Sequence, residues 1–165
     1  MLVLCYNCDI SHIWRIRYGC VHILWPPGLS GVYQTDTTAV VVELIEQHGV
    51  DRFFVGRQGA FDAMAHSVLQ ELAEVHPHIS YAVVLERLPE PRDKAVWDFS
   101  DTIFPEGLEA VPSRFAISRR NEWMLKQSDF VVTYITHNWG GAAQYAEKAQ
   151  RQDKRVLNLA ENFKF

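Results

Sequence analysis

Residues 129–150 read DFVVTYITHNWGGAAQYAEKAQ. The run Asp129–Ile135 is apolar and rich in β-branched side chains, which is typical of a strand that is covered on both faces. A turn with the paired glycines Gly140 and Gly141 follows, and a helical segment is predicted over Ala142–Gln152. A strand, a glycine turn and a helix in this order predict one βα unit of a parallel sheet.

The same alternation of strands and helices extends over most of the chain. The other predicted strands are short and apolar: Asp51–Val55, Ile79–Leu85 and Arg155–Leu159. The other predicted helices are Thr38–His48, Ala60–Val75 and Ser113–Lys126. Strands that alternate with helices form βαβ units with right-handed crossovers. We therefore expect an α/β, Rossmann-like three-layer fold with one mainly parallel sheet.

Two segments fit this alternation less well. Near the start of the chain, Met1–Tyr6 and Val21–Trp25 could both be strands, whereas Ser30–Asp36 has no helical period. The proline-containing segment Arg87–Pro112 is predicted to be a long loop with a short turn near Asp101. The length suits a single domain over residues 1–165, in which residues 1–35 are divergent.

Composition limits the function classes. The chain has 165 residues, of which 48% are hydrophobic, and a formal net charge of −4. A disordered chain is excluded by this hydrophobic content, and nucleic acid is a disfavoured partner because the net charge is negative. No apolar run approaches the ~20 residues that span a bilayer. We expect a cytoplasmic protein without a membrane partner, and the oligomeric state stays open, a homo-oligomer included.

A cluster of cysteines and histidines lies in the divergent segment. Cys5 and Cys8 form a CxxC pair, and His12, Cys20 and His22 follow. Such residues can hold zinc, but no second pair repeats the ligand spacing. We expect the cysteines to be thiols that form no disulfide. We also expect no bound metal and no cofactor.

The glycine turn after residue 135 is the first candidate site. Trp139, Gly140 and Gly141 precede a helix, whose first N–H groups and positive dipole end suit a phosphate. Glycine also lets a ligand approach the backbone closely. The alternative is a helix start that binds no ligand.

A second glycine turn joins the strand at Asp51–Val55 to the next helix. It contains Gly56 and Gly59, and Asp62 follows. Both turns should lie at the carboxyl ends of parallel strands, where α/β proteins bind ligands. Asp62 could accept a hydrogen bond from a ribose hydroxyl, or it could cap the helix.

An arginine cluster on the helix Ser113–Lys126 is the third candidate. Arg119 and Arg120 stand side by side near the middle of this helix, with Arg114 before them and Asn121 after them. The guanidinium group presents paired donors that match phosphate oxygens. The alternative is an exposed basic helix face.

Four segments together resemble the SLOG superfamily, the Rossmann-like group that includes the DNA-processing protein DprA and the LOG phosphoribohydrolases. They are DRFFVGRQGAFDAMA (51–65), ISYAVVLERLP (79–89), DTIFPEGLEAVPSRFAISRRNEWML (101–125) and SDFVVTYITHNWGGAAQYAEKA (128–149). Within this superfamily the chain is most similar to the YpsA-like bacterial proteins. The resemblance implies a Rossmann-like domain that binds a nucleotide or a nucleotide-derived ligand, with a role in sensing or processing.

The resemblance also implies two alternatives. LOG enzymes carry a helix arginine and a PGGxGTxxE turn, to which Arg120, the glycine pair and Glu147 are similar; Arg120 and Glu147 would then cleave the N-glycosidic bond of a nucleoside monophosphate. The turn departs from that pattern at Trp139, Ala143 and Gln144, which removes a flexible position and a hydroxyl. The other alternative is DprA-like binding of single-stranded nucleic acid, which the acidic net charge disfavours.

The first-strand motif of the superfamily, a Gly-His-Arg triplet, is missing. Near its expected place the chain reads CVHILWP, residues 20–26, in which only His22 is comparable.

Overall fold

A computed structural model describes residues 32–90 and 99–161. The possible strands at Met1–Tyr6 and Val21–Trp25 lie outside the described residues, as does the cysteine and histidine cluster. No helix within the described ranges is long and apolar enough to cross a membrane.

The described residues form helices and strands in alternation. Helices are α1 (Val32–His48), α2 (Ala60–Val75), a short 3-10 helix (Leu108–Ala110), α3 (Ser113–Lys126) and α4 (Gly141–Gln150). Strands are β1 (Arg52–Val55), β2 (Ser80–Val84), β3 (Thr102–Ile103), β4 (Phe130–Thr133) and β5 (Arg155–Asn158). All pairings between these strands are parallel. The predicted α/β class with parallel sheets is confirmed.

The hydrogen bonding of the strands differs from the prediction of one sheet. Within the described ranges, β1, β2 and β3 form a three-stranded sheet, and β4 and β5 form a two-stranded sheet. Side-chain packing joins the two sheets instead, because Phe53 and Val55 of β1 share one hydrophobic core with Phe130 and Val132 of β4. Within the described ranges the backbone ladder is therefore divided between two parallel sheets that contribute to one core, and the possible strands at Met1–Tyr6 and Val21–Trp25 lie outside these ranges.

Both faces of the strands are covered. Phe53 and Phe54 point to opposite faces of β1, and both are buried. Phe54 contacts Trp123 of α3, with ring centroids 5.5 Å apart. Helix α2 packs on β1 and β2, and α4 packs on β4 and β5. This coverage explains why the strands are nearly continuous apolar runs.

Helix α1 begins at Val32, earlier than the predicted start at Thr38. Its buried positions are Thr37, Val41, Leu44 and Ile45, which follow the helical period. Residues 32–36 have no hydrophobic period in the sequence, so the pattern does not reveal the first turns of the helix.

The strand β3 lies where a loop was predicted. Its residues pair with β2, and the backbone N–H of Leu85 donates to the carbonyl of Ile103 at 2.8 Å. The prediction of an irregular segment at Thr102 was wrong because a two-residue strand has no periodicity of its own. Its conformation depends on hydrogen bonds with β2.

An ion pair between α3 and α4 makes stability depend on pH. Lys148 Nζ donates to Glu122 Oε1 at 2.8 Å, and this hydrogen bond is the largest cause of a lowered Glu122 pKa. Because the folded-state pKa lies below the ordinary value of about 4.3, the stabilisation is present above that value and is lost as the pH falls through the folded-state pKa.

We expect Glu122→Gln to lower the free energy of unfolding by about 0.5–1 kcal/mol at neutral pH. The difference from the wild type should vanish in acid. Urea unfolding at several pH values measures it, and a difference that is the same at pH 7 and in acid would contradict this assignment.

Candidate functional site

The first cavity lies at the carboxyl ends of β1 and β2, beside β3, and has a volume of about 430 Å³. It is lined by Gly56, Arg57, Gly59, Asp62, Ala63, His66, Ser67, Val83, Phe99, Asp101 and Thr102. This is the edge at which open α/β sheets bind ligands. Gly56, Gly59 and Asp62, which the sequence singled out, all belong to this lining.

The turn from β1 into α2 forms one wall of the first cavity. Gly59 is the residue before the helix and has no side chain with which to cap it. Asp62 lies in the first turn, and its Oδ2 accepts a hydrogen bond from the backbone N–H of Gln58 at 2.6 Å. Asp62 therefore ties the residue before Gly59 to the first turn of the helix, and it also lines the cavity.

Gly56 allows two charged side chains to approach the backbone. An ideal Cβ at this position would lie 2.7 Å from Asp62 Oδ2 and 3.1 Å from both Nη1 and Nη2 of Arg120. Such distances leave no space for a side chain. Gly56, Asp62 and Arg120 thus meet at one point, although they are distant in sequence.

Arg120 is completely buried, with 0% of its surface exposed. Its Nε and Nη2 both donate to Asn121 Oδ1, at 3.1 and 3.0 Å. Its Nη1 lies 3.5 Å from Glu86 Oε2, and neither atom has a hydrogen-bond partner among the described residues. Burial lowers the pKa of the guanidinium group, and the charges of Asp62 and Glu86 oppose this shift.

The arginine cluster divides into a buried part and an exposed part. Arg120 and Asn121 are buried beside Gly56, whereas Arg119 is exposed and pairs with Glu122 at 3.0 Å. Arg114 is also exposed, with its guanidinium 4.7 Å from the ring centre of Phe115. An exposed basic face therefore describes Arg114 and Arg119 but not Arg120.

Sequence reasoning missed a histidine–aspartate pair in the first cavity. His66 Nε2 lies 2.6 Å from Asp101 Oδ2, and both residues line the cavity. The ring of Tyr81 stands edge-on to His66, with centroids 5.5 Å apart. Burial, and after it the Asp101 charge, raise the pKa of Tyr81. The one available signal was the spacing of Asp62 and His66, which puts both on one face of α2.

Arg57 and Phe99 add a cation and an aromatic ring to the same lining. The guanidinium of Arg57 lies 5.9 Å from the centre of the Phe99 ring. The first cavity therefore combines one arginine, two carboxylates, one histidine and an aromatic ring.

A second cavity of about 380 Å³ lies at the carboxyl ends of β4 and β5. Its lining is polar and consists of Thr133, Ile135, His137, Asn138, Ala143, Gln144, Ala146, Glu147, Gln150, Val156, Asn158 and Glu161. Thr133 Oγ1 is buried and has no hydrogen-bond partner within the described ranges.

The glycine turn stands apart from both cavities. Trp139 is 72% exposed and stacks on His137, with ring centroids 5.0 Å apart. Gly140 has a φ of 93°, which favours glycine, and Gly141 begins α4. A Cβ added at either glycine would meet no atom within 4 Å. None of Trp139, Gly140 and Gly141 lines the first or the second cavity.

The two residues of the hydrolase alternative lie in different surroundings. Glu147 is exposed, lines the second cavity and forms an ion pair with Arg151 at 2.5 Å. Arg120 is fully buried behind Gly56 and lines neither cavity. The structure thus puts Gly56 and Asp62 in the lining of the first cavity, buries Arg120 behind Gly56, and leaves Glu147 at the second cavity.

Comparisons with protein-family models and with curated proteins give no match for this chain.

Proposed function

We propose that the protein binds a nucleotide or a nucleotide-derived ligand in the first cavity. The observation that carries this proposal is the position of the first cavity, which lies at the carboxyl ends of β1 and β2 and beside the amino end of α2, with Arg57 in its lining. Open α/β sheets bind ligands at this edge. The cavity volume also lies in the range of small-molecule sites, roughly 300–1,000 Å³.

The phosphate of the ligand would lie at the amino end of α2. The first N–H groups of a helix have no partner within the helix, and its dipole favours an anion there. Arg57 lines the same cavity and offers a guanidinium fork to phosphate oxygens.

The remaining lining suits the other parts of a nucleotide. Asp62 and Asp101 are carboxylates, which accept hydrogen bonds from ribose hydroxyls. Phe99 and Val83 supply an aromatic and an aliphatic surface for a base. The cavity therefore has a group for each part of a nucleotide.

Arg57→Gln tests the phosphate contact. A hydrogen bond to a charged group contributes about 1.5–3 kcal/mol, so we expect the variant to bind phosphorylated ligands at least about tenfold more weakly. Its affinity for the matching nucleosides should change much less. Calorimetry after a thermal-shift screen of nucleoside monophosphates, cyclic nucleotides, NAD and ADP-ribose measures both.

Arg151→Gln is the matched control, because Arg151 is exposed and directly follows α4, away from the first cavity. It should bind as the wild type does. A wild-type protein that binds none of these ligands, or an Arg57→Gln variant with unchanged affinity, would refute the proposal.

The second candidate function is a phosphoribohydrolase that uses Glu147 on the ribose and Arg120 on the phosphate. The second cavity favours a ligand because Thr133 Oγ1 is buried there without a partner among the described residues. Under this alternative Glu147→Gln abolishes release of free base from nucleoside monophosphates and leaves ligand affinity nearly intact. If the wild type releases no base but binds nucleotides, this alternative is wrong.

A further inference from the structure

We propose that the first cavity hydrolyses a phosphate ester of the bound ligand, with His66 as the proton-transfer residue and Asp101 as its positioning residue. This inference rests on the proposed function, because that function puts a phosphate in the cavity.

The pair is held by two separate elements. His66 lies on α2, and Asp101 directly precedes β3. The carbonyl of Asp101 accepts the backbone N–H of Val83 in β2 at 2.8 Å, so the sheet fixes the backbone from which the carboxylate extends. The two side chains are 28% and 22% exposed, which leaves both accessible from the cavity that they line.

The hydrogen bond determines which ring nitrogen is used. When Nε2–H of His66 donates to the Asp101 carboxylate, the lone pair of the neutral ring is on Nδ1. Asp101 also stabilises the imidazolium that forms when Nδ1 takes up a proton, as the aspartate of a catalytic triad does. The pair thus has the properties of a general base.

The other charged and titratable groups of this cavity come from three elements. Tyr81 of β2 stands edge-on to His66, and Asp62 and Arg57 lie on α2 and on the turn before it. Arg57 and the amino end of α2 provide positive charge for the phosphoryl oxygens.

The reaction is a balanced hydrolysis. A water oxygen forms a bond to phosphorus, and the water proton moves to His66 Nδ1. The ester P–O bond breaks, and its electron pair stays on the alcohol oxygen, which takes a proton from solvent water, while His66 Nδ1 returns its proton to solvent. The products are the alcohol and the phosphate, and His66 returns to its neutral form.

The simpler alternative is a structural hydrogen bond that ties α2 to β3. His66→Gln separates the two readings. The amide nitrogen of glutamine can replace Nε2 as a donor to Asp101, so the hydrogen bond between α2 and Asp101 is kept. Glutamine has no basic nitrogen that could take up a proton from water. His78→Gln is the matched control, because His78 is exposed and lies between α2 and β2, outside the cavity lining.

The test measures hydrolysis of nucleoside monophosphates, cyclic nucleotides and 4-nitrophenyl phosphate esters, together with the thermal shift that each nucleotide causes. We expect His66→Gln to lower the rate about 10²- to 10⁴-fold and to retain the thermal shift. His78→Gln should match the wild type in both.

Asp101→Asn should lower the rate, and Asp101→Glu should restore part of the activity; these variants also carry the test if His66→Gln does not fold. A wild type that binds nucleotides but hydrolyses none of the esters refutes the inference and leaves the proposed function intact. Hydrolysis by His66→Gln at the wild-type rate also refutes it. Absence of nucleotide binding refutes the proposed function, and 4-nitrophenyl ester hydrolysis without loss in His66→Gln would then refute the dyad separately.

Discussion

Replacement of Arg120 by methionine is expected to lower the free energy of unfolding by about 3–5 kcal/mol, the usual cost of removing one partner from a buried charge network. Arg120 is fully buried, and Asp62 beside it is 5% exposed. The second carboxylate, that of Glu86, is also nearly buried. Methionine fills much of the same volume but removes the positive charge. Two carboxylates then lose the Arg120 cation in a poorly hydrated place.

Arg119→Met is the matched control for this experiment. Arg119 is the neighbouring residue on the same helix, but it is exposed and pairs with Glu122 at the surface. Its removal should cost no more than about 1 kcal/mol. Urea unfolding at pH 7 measures both variants.

A double variant provides a second test of the Arg120 assignment. Adding Asp62→Asn to Arg120→Met removes the charge of one of the two carboxylates that lost the Arg120 cation, so it should recover part of the loss at pH 7. If Arg120→Met is as stable as Arg119→Met, the buried network has no role in stability.

The sequence predicts best where a local pattern determines the structure. The bounds predicted for α2 and α3, Ala60–Val75 and Ser113–Lys126, agree with the observed bounds. In α2 an apolar stripe fits one helix face, and Pro77 prevents the helix from continuing. The apolar strands at 52–55 and 130–133 are recognisable for a similar reason, because burial on both faces requires apolar residues in succession.

Prediction fails where the deciding interaction is distant in sequence. The strand β3 exists because β2 offers hydrogen bonds to Thr102 and Ile103, and no local pattern encodes that. His66 and Asp101 meet only after β3 forms, so their pairing could not be predicted either. The pairing of β4 with β5 in a sheet of their own, within the described ranges, likewise depends on hydrogen bonds between residues that are distant in sequence.

Neighbouring arginines illustrate the same limit on a single helix. Consecutive residues of an α-helix point about 100° apart, so Arg119 and Arg120 necessarily have different surroundings. Sequence alone could not decide which of the two faces the interior. The packing of α3 near Gly56 and Glu86 decides it, and it buries Arg120.

Gly56→Ala is expected to destabilise the protein by about 1–3 kcal/mol, the usual cost of overpacking. The new Cβ would lie 2.7 Å from Asp62 Oδ2 and 3.1 Å from two nitrogens of Arg120. Asp62 cannot move away without breaking its hydrogen bond with the backbone N–H of Gln58. Arg120 cannot move away because it is fully buried. A shift of Asp62 also displaces a wall of the first cavity, so nucleotide binding should weaken in the same variant.

Gly59→Ala is the matched control, since it adds the same methyl group three residues away in the same turn. A Cβ at Gly59 would meet no atom within 4 Å, and the φ of 168° is extended backbone that alanine also adopts. Its effect on stability should therefore stay within about 0.5 kcal/mol. Combining Gly56→Ala with Asp62→Ala removes the closest contact, so the two changes together should cost less than their sum. If the costs simply add, Gly56 acts on stability by some means other than contact with Asp62, and a ligand effect of Gly56→Ala could no longer be attributed to the displacement of that carboxylate.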